Sequence, residues 1–183
     1  MTALQLWAQL ELHSGETRLC LAINRWGARR AIARFFGIVS RLGDGSIWYA
    51  LIAACAIFGG SKGVAAALHM TLTGLVAAGL YRSLKRWTRR PRPFRAHDQI
   101  VAHAMPLDEF SFPSGHTLHA VTFSLIAISY FPPLALLLIP FSLLVAASRV
   151  VLGLHYPSDV LAATAIGCVL SGTSLWLSTL LGH

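Results

Sequence analysis

The chain has 183 residues, 55% of them hydrophobic and 12% charged, with a mean hydropathy of +0.62. A soluble domain carries about twice that charged fraction, so long apolar runs in one domain's length of chain point to an integral membrane protein. The formal net charge of +8 is uneven: seven of the fifteen basic residues lie between Arg82 and Arg95, and six more precede Ser46. Such density suits anionic headgroups or a phosphorylated ligand, and a chain this apolar argues against nucleic acid.

Residues 1–41 are amphipathic. Leu19, Leu21, Ile23 and Trp26 alternate with Arg18, Arg25, Arg29, Arg30 and Arg34, the pattern of helices lying at a membrane interface with arginines reaching headgroups. An interfacial segment over 1–34 and a membrane-embedded domain over 35–183 are therefore expected. Residues 1–12 lack a basic n-region and carry Glu11, so no cleavable leader is expected.

The first span falls in residues 35–60. Its clean apolar part, 47–58, is too short for a hydrocarbon core of ~30 Å. The helix is expected to start upstream, near Phe35, and to pass through Gly43-Asp44-Gly45 as a kink or break. Asp44 reads as a cap for that segment, with a place beside a phosphate pocket as the alternative. Residues 63–84 form a second span, rich in small residues that permit close helix contact, with His69 as a hydrogen-bonded interior group.

This span runs into the basic stretch Arg82, Lys85, Arg86, Arg89, Arg90, Arg92 and Arg95, where Pro91 and Pro93 stop the helix. A polar loop over 95–112 holds His97, Asp98, His103, Asp108 and Glu109. Residues 116–131 are a third span closed by Pro132-Pro133. Residues 134–150 are a fourth, with Pro140 as an expected kink. Residues 157–181 are a fifth, opened by Pro157 in a first helical turn. Cys20, Cys55 and Cys168 are far apart, show no metal spacing and read as apolar fillers. The expected fold is an all-α polytopic membrane bundle of about five spans plus N-terminal interfacial helices.

Counting crossings puts the end of span two, the start of span three, the end of span four and the start of span five on one face. Three stretches spread over seventy residues can then build one site. Displacement at phosphorus puts charge on equatorial oxygens, which fixed cations and backbone N–H groups stabilise. Lys85, Arg92 and Arg149 are the candidate cations, arginine offering a bidentate fork. Headgroup contact is expected for Arg86, Arg89, Arg90 and Arg95. Ser114 can cap a helix or donate to a phosphate oxygen, Gly115 permits close approach of backbone, and the free N–H groups there favour an anion. His116 can protonate a leaving oxygen. Asp159, in the first turn after Pro157, can reach back to His155 and set its tautomer, as the orienting carboxylate of a triad does.

The stretches Lys85-RWTRRP-Arg92-Pro93, Pro113-Ser114-Gly115-His116 and Ser148-Arg149-VVLGL-His155-YPS-Asp159 resemble the signature of the type 2 phosphatidic acid phosphatase (PAP2) family. Its pattern is K-x6-R-P, P-S-G-H and S-R-x5-H-x3-D, and every defining position matches in order and spacing. The resemblance extends over roughly residues 35–181. It implies a helical core and hydrolysis through a phosphohistidine, with no metal or other cofactor. His155 would be the nucleophile, Asp159 its orienting group, and His116 the acid and then the base. Lys85, Arg92, Ser114, Gly115 and Arg149 would hold the phosphate.

Vanadium-dependent haloperoxidases resemble the same family but are soluble, which the composition opposes. A lipid phosphotransferase would use the same phosphohistidine with a lipid hydroxyl as acceptor. A scaffold or transporter would need neither histidine nor Asp159. Undecaprenyl diphosphate is the first substrate expectation, with phosphatidylglycerophosphate and phosphatidic acid as alternatives. The expected partners are a phosphorylated membrane lipid and the bilayer, and the oligomeric state is open. Basic residues crowd the face that carries the site, which by the positive-inside rule would be cytoplasmic. The resemblance implies the periplasmic face of a bacterial inner membrane, and that placement is the expectation.

Overall fold

A computed structural model describes residues 15–180; the expectations for residues 1–14 lie outside the described residues. The helices are α1 (Gly15–Gly27), α2 (Arg30–Leu42), α3 (Ser46–Phe58), α4 (Gly60–Thr88), α5 (Pro93–Ala96), α6 (Gly115–Tyr130), α7 (Ala135–Val151) and α8 (Pro157–Leu180). The described residues contain no strand, in keeping with the expected all-α bundle.

The stretches Gly60–Ala96, Pro132–Val151 and Pro157–Leu180 are long and apolar enough to cross a membrane. The helices α2 and α3 meet that test together and bend by 43° at the break between them. Gly45 sits in that break at φ 109°, a conformation that favours glycine, so the Gly-Asp-Gly stretch does interrupt the first span. The helix carrying this span begins at Arg30 rather than near residue 35. The third expected span, α6, has 16 residues and measures ~24 Å, short of a ~30 Å core.

That short helix is the centre of the bundle, packed against α4, α7 and α8. Its Ala120, Phe123, Ile126 and Ala127 join Trp48, Met70, Leu138 and Val145 in the main core. Where α4 crosses it, a Cβ on Gly74 would lie 2.6 Å from the Phe123 ring, so glycine lets the two helices approach. Local chemistry sets the ends. Ser114 accepts a hydrogen bond from the Thr117 N–H and caps α6. Arg89 closes α4 in the left-handed conformation at φ 49°, and prolines at 91 and 93 keep the chain extended beyond it. Pro140 lies inside α7, which continues through it. His69 is hydrogen-bonded as expected, to the hydroxyls of Tyr130 and Ser174.

The N-terminal α1 is more than an interfacial helix. It buries Thr17, Cys20, Asn24 and Gly27. Asn24 donates to the carbonyls of Val101 and Val151 and accepts from the Val101 N–H. The helix is thereby tied to the polar loop and to the end of α7.

Candidate active site

The three signature stretches converge at one end of the bundle around a cavity of about 1020 Å³. Lys85 from α4, Arg92 from the extended segment, Gly115 and His116 from the start of α6, Arg149 from the end of α7 and His155 from the turn before α8 all line it. Ser114 and Asp159 lie behind this wall, each fully buried. The Ser114 side chain is engaged in capping α6, where it also meets the Thr117 hydroxyl at 3.0 Å.

His155 is held from two sides. Arg92 Nη1 donates to the Leu154 carbonyl at 2.8 Å and lies 3.3 Å from His155 Nε2. A guanidinium has no lone pair to offer, so Nε2 accepts and the ring proton sits on Nδ1. Asp159 Oδ2 faces Nδ1 at 3.5 Å. The contact is electrostatic, without an aligned hydrogen bond, and Nδ1 has no hydrogen-bond partner among the described residues. Burial, followed by the charges of Arg92, Arg149 and Lys85, pushes the imidazole well below its ordinary pKa. His155 is therefore neutral at physiological pH, with a lone pair on Nε2.

Three cations in an apolar setting need compensation. Asp108 supplies it for two of them. Lys85 Nζ donates to both carboxylate oxygens at 2.6 and 2.7 Å, and Arg92 Nη2 donates to Oδ1 at 2.7 Å. Burial raises the Asp108 pKa, but the hydrogen bonds and charges of Lys85 and Arg92 outweigh it and hold the carboxyl below the ordinary value. Arg149 differs. It is almost fully buried, donates to the Ser40 hydroxyl, and its Nε has no hydrogen-bond partner among the described residues.

Arg90 departs from the expectation of headgroup contact. Its Nη1 donates to Asp159 Oδ1 at 2.7 Å and to the Ser158 hydroxyl, its Nη2 donates to Glu16 at 3.0 Å, and its guanidinium lies over the Tyr156 ring. Chain direction causes this. The helix ends at Thr88, so residues 90–92 leave the helical surface and turn two arginines inward. Asp159, which also accepts from the Tyr156 N–H at 2.9 Å, is thus held by Arg90 and Tyr156 behind His155. Arg86 and Arg89 stay exposed, and Arg95 pairs with Glu109 at 3.4 Å.

Asp44 lines the cavity, with Oδ1 3.4 Å from His116 Nε2, so the alternative position considered for it is the one found. Asp108, Arg90 and Glu16 gave no usable signal in the sequence. Their partners lie 16 to 142 residues away without periodicity, and only the fold brings them together.

The cavity also has an apolar arm. Tyr49, Ile52, Ala53 and Ala56 of α3 face Thr71, Gly74, Leu75 and Ala78 of α4, and several of these are exposed on the outer surface of the bundle. The polar end and this side-facing arm are continuous.

A family model described as PAP2 superfamily matches residues 62–181. Undecaprenyl-diphosphatase BcrC of Bacillus subtilis is 31% identical over 125 residues, covering 67% of this chain and 63% of that protein. Phosphatidylglycerophosphatase B of Escherichia coli is 37% identical over 75 residues, covering 38% of this chain and 29% of that protein. The crystal structure of Aquifex aeolicus LpxE superimposes with a TM-score of 0.76 at 27% identity, covering 88% of this chain and 95% of that one. The signature stretches, the helical bundle that gathers them and the length of the matched segment lead to one assignment: this chain belongs to the PAP2 superfamily.

Proposed function

We propose that this protein is a membrane lipid phosphatase acting on a terminal lipid phosphate or diphosphate, with undecaprenyl diphosphate as the first substrate. The observation that carries this reading is the buried His155, whose ring lines the same cavity as Lys85, Arg92 and Arg149. The apolar arm between α3 and α4 supports a lipid substrate, since a chain lying there keeps its phosphate at the cationic end.

In this mechanism His155 Nε2 attacks phosphorus and the bond to the leaving oxygen breaks. His116, which takes up a proton as the negative charge of the phosphate enters the cavity, donates it to that oxygen, Asp159 stabilises the positive imidazole, and the three cations with the Gly115 backbone balance the equatorial oxygens. His116, now neutral, takes a proton from water. The hydroxide attacks the phosphohistidine, and the P–N bond breaks to release phosphate and restore His155. From undecaprenyl diphosphate the products are undecaprenyl phosphate and inorganic phosphate. The 31% identity to the B. subtilis diphosphatase supports that choice. The 37% identity to the E. coli protein makes phosphatidylglycerophosphate the alternative. We place the site on the periplasmic face of a bacterial inner membrane.

Phosphate release from undecaprenyl diphosphate in detergent with EDTA present tests the reading. Wild type should turn over, and His155→Ala should lose at least ~10³-fold in kcat. Equal activity in the two proteins would overturn the mechanism, and no phosphate release from either lipid would overturn the function.

A further inference from the structure

Asp108 occupies a place the signature does not assign. Its carboxylate bridges Lys85 and Arg92 with three short hydrogen bonds, the contacts that two oxygens of a bound phosphate would make with the same cations. The backbone around it is held by contacts that do not involve its carboxylate, two of them from the same cations. Arg92 Nε donates to the Asp108 carbonyl, Lys85 Nζ to the Phe110 carbonyl, and the Ser111 N–H to the Arg90 carbonyl. The carboxylate itself is 38% exposed. Rotation about two side-chain bonds can therefore release the cations without moving the loop.

We propose that Asp108 is an internal competitor for the phosphate subsite, holding Lys85 and Arg92 between turnovers and helping to expel inorganic phosphate after each one. This rests on the reading that those cations bind phosphate. The physical basis is an asymmetry between substrate and product. Both must displace the same carboxylate. A lipid-linked phosphate has its chain in the apolar arm to offset that cost, whereas free phosphate has no such anchor. The carboxylate is the exposed side of the pair, so it can turn out to water while phosphate takes its place on the buried cations, yet its fixed position gives it a high effective concentration over them. Asp108 also keeps Lys85 and Arg92 from facing each other and Arg149 without a counter-charge.

The test compares wild type, Asp108→Asn and Asp108→Glu in detergent, with inorganic phosphate as the probe. Asp108→Asn should bind phosphate about tenfold more tightly by calorimetry, ~1.4 kcal/mol, and show product inhibition at correspondingly lower phosphate. Its thermal midpoint should fall without phosphate and recover on adding it, by a larger shift than wild type shows. Asp108→Glu, which retains the charge, should return phosphate affinity towards wild type. A lowered midpoint with unchanged phosphate affinity would make Asp108 structural and overturn the proposal alone. Phosphate binding by neither wild type nor Asp108→Asn would overturn both this and the phosphate-site reading.

Discussion

Behind His155 stands a relay of charges that starts on another helix. Glu16 of α1 pairs with Arg90, Arg90 pairs with Asp159, and Asp159 faces His155 Nδ1. Removing Arg90 would leave the fully buried Asp159 without its main counter-charge, an event that costs ~3–5 kcal/mol. Arg90→Met should therefore lower the thermal midpoint and reduce kcat by more than it raises KM, with Arg90→Lys partly restoring both. Glu16→Gln, one step further out, should have a smaller effect in the same direction.

His155 itself carries a pH signature. Its folded pKa is depressed, so its contribution to stability is fully present above the unfolded value of ~6.5 and is lost as pH falls below it towards the folded value. Between pH 7.5 and 5.5 the thermal midpoint of wild type should fall more than that of His155→Gln. Parallel profiles for the two proteins would contradict a depressed His155.

At the level of elements, the site depends on how closely α4 approaches α6. Gly74 permits that approach and lies three turns before Lys85 on the same helix. Gly74→Ala would press a methyl group against the Phe123 ring, overpacking of a kind that costs ~1–3 kcal/mol. It should also displace Lys85 relative to His116. Thermal unfolding in detergent should register the loss of stability, and a rise in KM should accompany it. Gly79→Ala, on the same helix with nothing within 4 Å of an added Cβ, is the control expected to keep or raise stability, by up to ~1 kcal/mol.

For the whole molecule, the placement of charge bears on the side of the membrane on which the site lies. Lys62 lies at the opposite end of α4 from Lys85, and the buried cations Lys85, Arg90, Arg92 and Arg149 are committed to ion pairs or to the cavity. Those four do not face lipid headgroups and weigh little as topology signals. With Cys168 changed to Ser, a Glu109→Cys protein should react with an impermeant thiol reagent in intact cells if the site is periplasmic. Labelling only after lysis would place it in the cytoplasm.

The residues of the signature are readable in the linear chain because each stretch sits at the end of an apolar run. Those boundaries follow from prolines, capping residues and hydropathy, which act locally. So the class of fold, the nearness of Asp159 to His155 and the positions of Lys85, Arg92 and Arg149 at helix ends follow from sequence alone. Asp108, Arg90, Glu16 and Asp44 were decided by tertiary structure. Each is an ordinary polar residue in its own segment, and each acquires its role from a partner brought near by packing around α6. Low dielectric then does the rest: buried cations require counter-charges, and the fold, not the local sequence, determines which carboxylates are close enough to supply them.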